Sequence, residues 1–399
     1  MRIPTRKTIA SLAALAAVSS LVACSSDGSG DGYQIGVMTD LSGPYSRQSQ
    51  TWIAGLRSSI DQTNKAGGVN GRQIELIERD NASDLQRAIT NFRELDSADV
   101  IANFGNNLSN IIAAVAPQAE STKIPTVTLT DVPAVMTPEP PSYVFSDEVP
   151  TPTWAALQLD YAAKLFKDRG ITNPKIAVYT IETASAEPYR AAIVEGANER
   201  GWTVVASESA EQTATDVTTQ ARSIASAKPD AVVTYVVNIV QAITAFQAQG
   251  LPRPVPVISQ KQSGDVSNFE AIAKMGQDFS AMRSFTMPYE TDVPAVKAMR
   301  DAIEAAGQWK DELETSEYTT QGYVDGLLIK NALTVCGEEC DRDGFRNALQ
   351  DTTALDTDGL SGAFGQDGNH RFVAEGKVYR WDPSKNLPLP LDDTWLNAE

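Results

Sequence analysis

Very few side chains in this 399-residue chain are equipped for covalent or acid–base chemistry. It has one histidine, His370, within Gly368-Asn369-His370-Arg371. No Ser/His/Asp constellation is legible around it, and no glycine-rich phosphate loop follows a strand. His370 therefore reads as a surface or packing residue. Of the three cysteines, Cys336 and Cys340 enclose only Gly-Glu-Glu at what reads as a helix end. A metal-holding thiolate pair needs further ligands, and one histidine is a poor supply. A disulfide is favoured over a metal site. Carboxylates are abundant, but 51 acids on one chain form pairs by chance. The remaining chemistry is that of binding through hydroxyls, amides and aromatic rings, so no enzyme, cofactor or metal is expected.

The third cysteine belongs to the leader. Arg2, Arg6 and Lys7 precede an apolar run from Ile9 to Ala23 that ends in Leu21-Val22-Ala23-Cys24. A charged front, a short apolar core and small residues before the cut mark a secretory signal peptide over 1–23. The run falls short of the ~20 residues a spanning helix needs. Leu-Val-Ala-Cys resembles a bacterial lipobox, in which the cysteine is diacylated and becomes the mature N-terminus. The Ser/Gly/Asp stretch through residue 32 is the flexible tether a lipid-held domain requires. Acyl chains contribute roughly 0.8 kcal/mol per buried CH₂, so two or three hold a domain at a membrane surface. The expected location is the extracytoplasmic face of the cell membrane.

Cleavage leaves 376 residues, enough for two domains. Hydrophobic residues at 42% and charged residues at 21% are ordinary for a globular protein with a real core. The net charge of −18 becomes −21 without the three leader cations. Such a surface repels nucleic acid, which excludes that class of partner.

Beyond the tether, apolar strands alternate with amphipathic helices. Strands are predicted at 33–38, 72–79, 100–104 and 125–129, with helices over 50–65, 84–95 and 111–120. The second helix places Leu85, Ala88, Ile89 and Phe92 on one face. The pattern then restarts, with helices over 154–166, 188–200, 217–226 and 240–249 and strands at 175–179, 202–206, 231–237 and 255–258. Two further helices are predicted over 293–306 and 319–335, and strands near 371–373 and 378–381. Such alternation means parallel sheets built from βαβ units. Two runs of it mean two α/β lobes, linked near Pro138-Glu139-Pro140-Pro141.

Several segments, in order, resemble the branched-chain amino acid (Leu/Ile/Val-binding) family of periplasmic binding proteins, the extracytoplasmic receptors of ABC importers. They are Ile35-Gly36-Val37-Met38-Thr39-Asp40-Leu41-Ser42-Gly43-Pro44-Tyr45, Asn64-Lys65-Ala66-Gly67-Gly68-Val69-Asn70-Gly71-Arg72, Pro229-Asp230-Ala231-Val232-Val233, Gln249-Gly250-Leu251 and Tyr323-Val324-Asp325-Gly326-Leu327. The resemblance implies a type I periplasmic binding protein: two Rossmann-like lobes with parallel sheets, joined by a three-strand hinge near 144–148, 284–289 and 355–360. It divides the chain into 33–145 plus 287–355 and 146–286 plus 356–399.

The resemblance also implies that a solute is bound in the cleft at the strand ends. Candidate contacts there are Tyr45 and Gln48, Asn106 and Asn107, and Thr128, Thr130 and Asp131 from the first lobe. The second lobe offers Ser185, Glu187, Tyr235, Asn238, Gln260 and Lys261. Amino-acid binders place an acid at the last of these loops to pair with the ligand ammonium; here Gln260-Lys261-Gln262 stands instead. That departure puts an α-amino acid ligand in doubt, with Asp131, Asp147 or Glu182 as substitutes. The reading is of a monomeric, lipid-anchored receptor delivering a small organic solute to ABC permease subunits. A ligand-sensing module and, more distantly, a secreted hydrolase are the alternatives.

Overall fold

A computed structural model of the protein describes residues 32–44, 46–366 and 368–397. The chain opens with β1 (Tyr33–Thr39), α1 (Ser46–Lys65), β2 (Ile74–Asp80), α2 (Leu85–Ser97), β3 (Ala102–Gly105), α3 (Ser109–Thr122), β4 (Thr126–Thr128), the single turn α4 (Pro133–Met136) and β5 (Val144–Ser146). Their strands form one parallel sheet in the order β2-β1-β3-β4-β5. A second run follows: α5 (Thr151–Asp168), β6 (Lys175–Ile181), α6 (Ala186–Glu199), β7 (Thr203–Ala210), α7 (Thr218–Ala227), β8 (Ala231–Tyr235), α8 (Ile239–Ala248) and β9 (Val257–Ser259). After a 3-10 turn at Lys261–Ser263 come α9 (Val266–Met275) and β10 (Phe279–Arg283).

The chain then returns to the first lobe with α10 (Pro294–Ala305), α11 (Asp311–Glu314), α12 (Glu317–Cys336) and α13 (Arg342–Asp351). It ends on the second with β11 (Glu375–Asp382), β12 (Leu387–Pro390) and β13 (Leu396–Asn397). The second sheet runs β12-β11-β10-β9-β8-β6-β7, parallel from β10 to β7 and antiparallel at β11 and β12. These are two α/β lobes. The chain crosses between them at 147–150, 284–293 and 352–374.

Two expectations are corrected. Pro138–Pro141 precede β5, which pairs with β4, so that segment lies inside the first lobe and does not link the two. Residues 371–373 form no strand; they lie on the third crossing and make isolated bridges, Arg371 to Ser146 and Val373 to Phe364.

The packing follows from patterning. β1 is the second strand of its sheet, covered on both faces, and buries Tyr33, Ile35, Val37 and Met38 without alternation, as parallel strands between helices do. α1 buries Trp52, Ile53, Leu56 and Ile60 along one stripe. It meets α12 backbone to backbone. A Cβ on Gly55 would stand 2.0 Å from the Thr319 carbonyl oxygen, and one on Gly322 would stand 1.9 Å from that of Trp52. This close crossing brings the start of α12 to the cleft. In both sheets the parallel strands end at the same edge, where helix N-termini gather.

Candidate functional site

The loop after β3 shows how the backbone shapes the site. Gly105 has φ 112°, and a Cβ there would lie 2.6 Å from the Met38 carbonyl oxygen. Asn106 follows at φ 68°, an asparagine-tolerant left-handed turn. The two reverse the chain so that Asn107, Ser109 and Asn110, at the start of α3, face a cavity of about 250 Å³ between the lobes. That is slightly below the ~300–1,000 Å³ of drug-sized sites and suits a metabolite-sized solute. The first lobe adds Gln48, Ser83 and Thr130, with Leu85, Leu108 and Ile111 as its apolar part. From the second come Thr183, Gln212, Tyr235 and Gln262, with Ile181 and Val237. Tyr318, in the first turn of α12, completes the wall. No described residue lining the cavity carries a formal charge. Asp40 stands behind the wall. It accepts hydrogen bonds from Ser49 and from Ser83 at 3.3 Å, and burial raises its carboxyl to about 6.

Of the residues singled out by sequence, Gln48, Asn107, Thr130 and Tyr235 line this cavity. Thr130 Oγ1 donates to the Asn107 carbonyl at 3.0 Å, fixing the two loops together. The others are placed elsewhere. Asn106 is buried beneath the wall, where its Oδ1 accepts from Asn81 at 3.5 Å. Thr128 donates to the Thr130 and Phe145 carbonyls. Asp131 accepts from Arg371 Nε at 2.7 Å and from the Thr151 N–H at 2.9 Å, and its carbonyl accepts from Ser185 at 2.8 Å. Asp131 and Ser185 therefore tie lobe to lobe. Glu187 is exposed and paired with Arg190. Asn238 is exposed at the start of α8. Gln260 caps its own turn, accepting from the Gln262 N–H at 2.9 Å. Tyr45 and Cys24 lie outside the described residues.

Lys261 is turned away from the cavity into a buried charge cluster. Its Nζ lies 2.6 Å from Glu148 Oε2, with both side chains all but solvent-free (0% and 2% exposed), and it donates to Gln321 Oε1 at 2.8 Å. Gln321 Nε2 donates to Asp147 Oδ2 at 2.7 Å, and Trp52 Nε1 to Asp325 Oδ2 at 2.7 Å. Glu317 Oε2 accepts the N–H groups of Ser284 and Phe285 on the second crossing. The ammonium of one lobe thus reaches the first crossing and α12 of the other, just behind Tyr318, whose ring centroid is 4.7 Å away.

Four carboxyls share this one ammonium, and burial makes each reluctant to ionise. It raises Asp147 to about 6 and Glu317 to about 7 against the pull of Lys261. Burial, then the neighbouring Asp147, push Asp325 well above its usual range. Glu148 is raised by burial, which outweighs the ammonium. Burial opposes the charge of Lys261, yet Glu148, Glu317 and Asp147 together raise its pKa.

Neither Asp131, Asp147 nor Glu182, the acids named above as partners for a ligand ammonium, lines the cavity. Sequence reasoning missed Ser83, Thr183, Gln212 and Tyr318. Thr183 sits two residues beyond the end of β6, a position strand-end logic marks. Tyr318 arrives from a remote helix and carries no local signal. Away from the cleft, Cys336 and Cys340 are joined at the end of α12, S–S 2.06 Å. His370 packs on Phe145, centroids 4.2 Å apart, with Nδ1 3.0 Å from the Val144 carbonyl oxygen. Among the described residues no helix is long and apolar enough to cross a membrane.

The arrangement has counterparts among solved structures. An ABC transporter substrate-binding protein from Sphaerobacter thermophilus superposes with TM-score 0.78 at 22% identity, covering 92% of this chain and 98% of that one. A solute-binding protein of an ABC transporter from R. palustris, solved with 4-hydroxybenzoate, gives 0.79 at 17% identity over 92% and 98%. A branched-chain amino acid ABC transporter protein from Thermus thermophilus with bound valine gives 0.78 at 15% identity over 92% and 97%. These likenesses establish the shared two-lobed fold. No curated protein sequence matches the chain. The sequence profile of the periplasmic binding proteins does match, over residues 32–386, and the chain therefore belongs to the periplasmic binding protein family.

Proposed function

We propose that the protein is a lipid-anchored extracytoplasmic receptor that captures a small organic solute between its lobes and delivers it to an ABC importer. Cys24 is the lipid attachment point, and closure of the lobes around the solute forms the surface the permease reads. The observation that carries this reading is the uncharged cavity of about 250 Å³, polar on both lobes. A solute touching both lobes at once favours the closed arrangement by its differential affinity for it.

The same lining supports a ligand class. The N–H groups at the start of α3 suit a carboxylate or carbonyl oxygen. An ammonium would meet no acid in the wall, and a buried unpaired charge is costly. The solute is accordingly a carboxylate or amide with no obligatory α-amino group, a class to which 4-hydroxybenzoate, held by the R. palustris protein, belongs. Calorimetry of leucine against 4-methylpentanoate, and of phenylalanine against phenylpropanoate, tests this. The deaminated member of a pair is expected to bind at least as tightly; micromolar binding of the amino acids alone refutes the ligand class.

A further inference from the structure

The polar atoms around the cavity are not equally satisfied. In the first-lobe wall Thr130 Oγ1 and Ser83 Oγ donate to protein acceptors. Elsewhere in the lining, three buried atoms have no partner: Thr183 Oγ1, Gln262 Oε1 and the Tyr318 hydroxyl. The first two belong to the second lobe. Thr183 follows β6 and Gln262 follows β9, and the two strands flank β8, which delivers Tyr235 to the same wall. Tyr318 joins them from α12 and is 2% exposed. Leaving a buried donor or acceptor unpaired costs about 1–3 kcal/mol each. Three around one cavity therefore call for an explanation.

We propose that Tyr318, Thr183 and Gln262 form a polar subsite for a neutral hydroxyl or carboxamide on the solute. This rests on the solute-receptor reading above and narrows its ligand class to acids or amides bearing a second, uncharged hydrogen-bonding group. Two hydroxyls can donate or accept, and the Gln262 oxygen accepts. A hydroxyl or carboxamide, itself both donor and acceptor, complements that set. A second carboxylate does not, since no described residue lining the cavity is cationic. Burial holds the Tyr318 phenol well above its ordinary pKa, so it stays a donor, and the Lys261 ammonium over its ring fixes its orientation. A solute lacking the group leaves these atoms orphaned, and sites built to bond a hydroxyl reject such analogues strongly.

The test uses matched pairs in calorimetry with the mature protein: 4-hydroxybenzoate against benzoate, 3-(4-hydroxyphenyl)propanoate against phenylpropanoate, and glutaramate against pentanoate. The hydroxylated or amidated member of at least one pair is expected to bind about tenfold or more tightly than its partner. Tyr318→Phe is expected to erase that difference by weakening the polar member while leaving the apolar one unchanged. Thr183→Val, on another element, is expected to act in the same sense. Equal binding within every pair, no binding by any polar member, or a Tyr318→Phe effect equal on both members overturns the subsite. The receptor reading itself survives those outcomes if any small solute binds in the cleft, and fails only if none does.

Discussion

Replacing Lys261 by methionine is expected to destabilise the protein out of proportion to the size of the change. The side chain is fully buried, and methionine keeps its length, so what is lost is charge and hydrogen bonding. Glu148 loses the ammonium at 2.6 Å, and Gln321 Oε1 loses its donor at 2.8 Å. Asp147, Glu317 and Asp325 lose the opposing pull of the same ammonium. Breaking a buried pair from one side costs about 3–5 kcal/mol. Unfolding entropy of roughly 2.1 cal/mol/K per residue over about 370 residues is about 0.8 kcal/mol/K, so Tm should fall by about 4–6 °C at pH 7.5. Because an unpaired Glu148 can take up a proton, the deficit should shrink toward pH 5. Glu148→Gln combined with Lys261→Met removes both charges and should recover much of the loss, since neutral replacement of a buried pair is often tolerated. Scanning calorimetry at pH 5, 6.5 and 7.5 reads all of this. An unchanged Tm in Lys261→Met, a deficit independent of pH, or a double variant as unstable as the sum of the singles would refute the reasoning.

Other consequences follow from particular groups. The carboxyls of Glu317, at about 7, and Asp147, at about 6, bind their protons more tightly folded than unfolded. Their contribution is thus greatest at and below pH 4 and is lost as pH rises through 6 to 7. Tm should fall from pH 5.5 to 8, and Glu317→Gln, which keeps an acceptor for the Ser284 and Phe285 N–H groups, should flatten that fall; a Tm rising over the range contradicts it. Cys24→Ser should release the mature domain from membranes with its fold intact, checked by fractionation in high salt, and persistent salt-resistant attachment counts against lipidation. Cys336 and Cys340 should resist alkylation until reduced, and rapid labelling of both in the native protein would exclude the bridge.

The strand and helix alternation was legible because parallel strands buried on both faces are apolar throughout, as Val232–Val233 and Ile35–Val37 are. Several elements escaped: α9 and the fully buried β10, which follow the last strand assigned in the second run, and others that are short or polar. β5 is three residues behind a proline-rich segment, and α13 is rich in charged and amide side chains. At the site, sequence marked the loops more reliably than the direction of each side chain. Asn106 and Asn107 are neighbours, yet a left-handed turn buries one and presents the other. Lys261 and Gln262 are neighbours too. Glu148 on the first crossing and Gln321 on α12 claim the lysine, while the glutamine stays at the cavity. Such claims are made by residues 60 or more positions away, which no local pattern records. Tyr318 belongs to the same class: only the close crossing of α1 and α12 brings it to the cleft.

The central claim is that one solute is held by both lobes at once. Small-angle scattering of the mature protein, with and without a saturating solute already shown to bind by calorimetry, tests it most directly. Compaction on binding, seen as a smaller radius of gyration, is the expected result. An identical profile in the presence of demonstrated binding would contradict capture by closure.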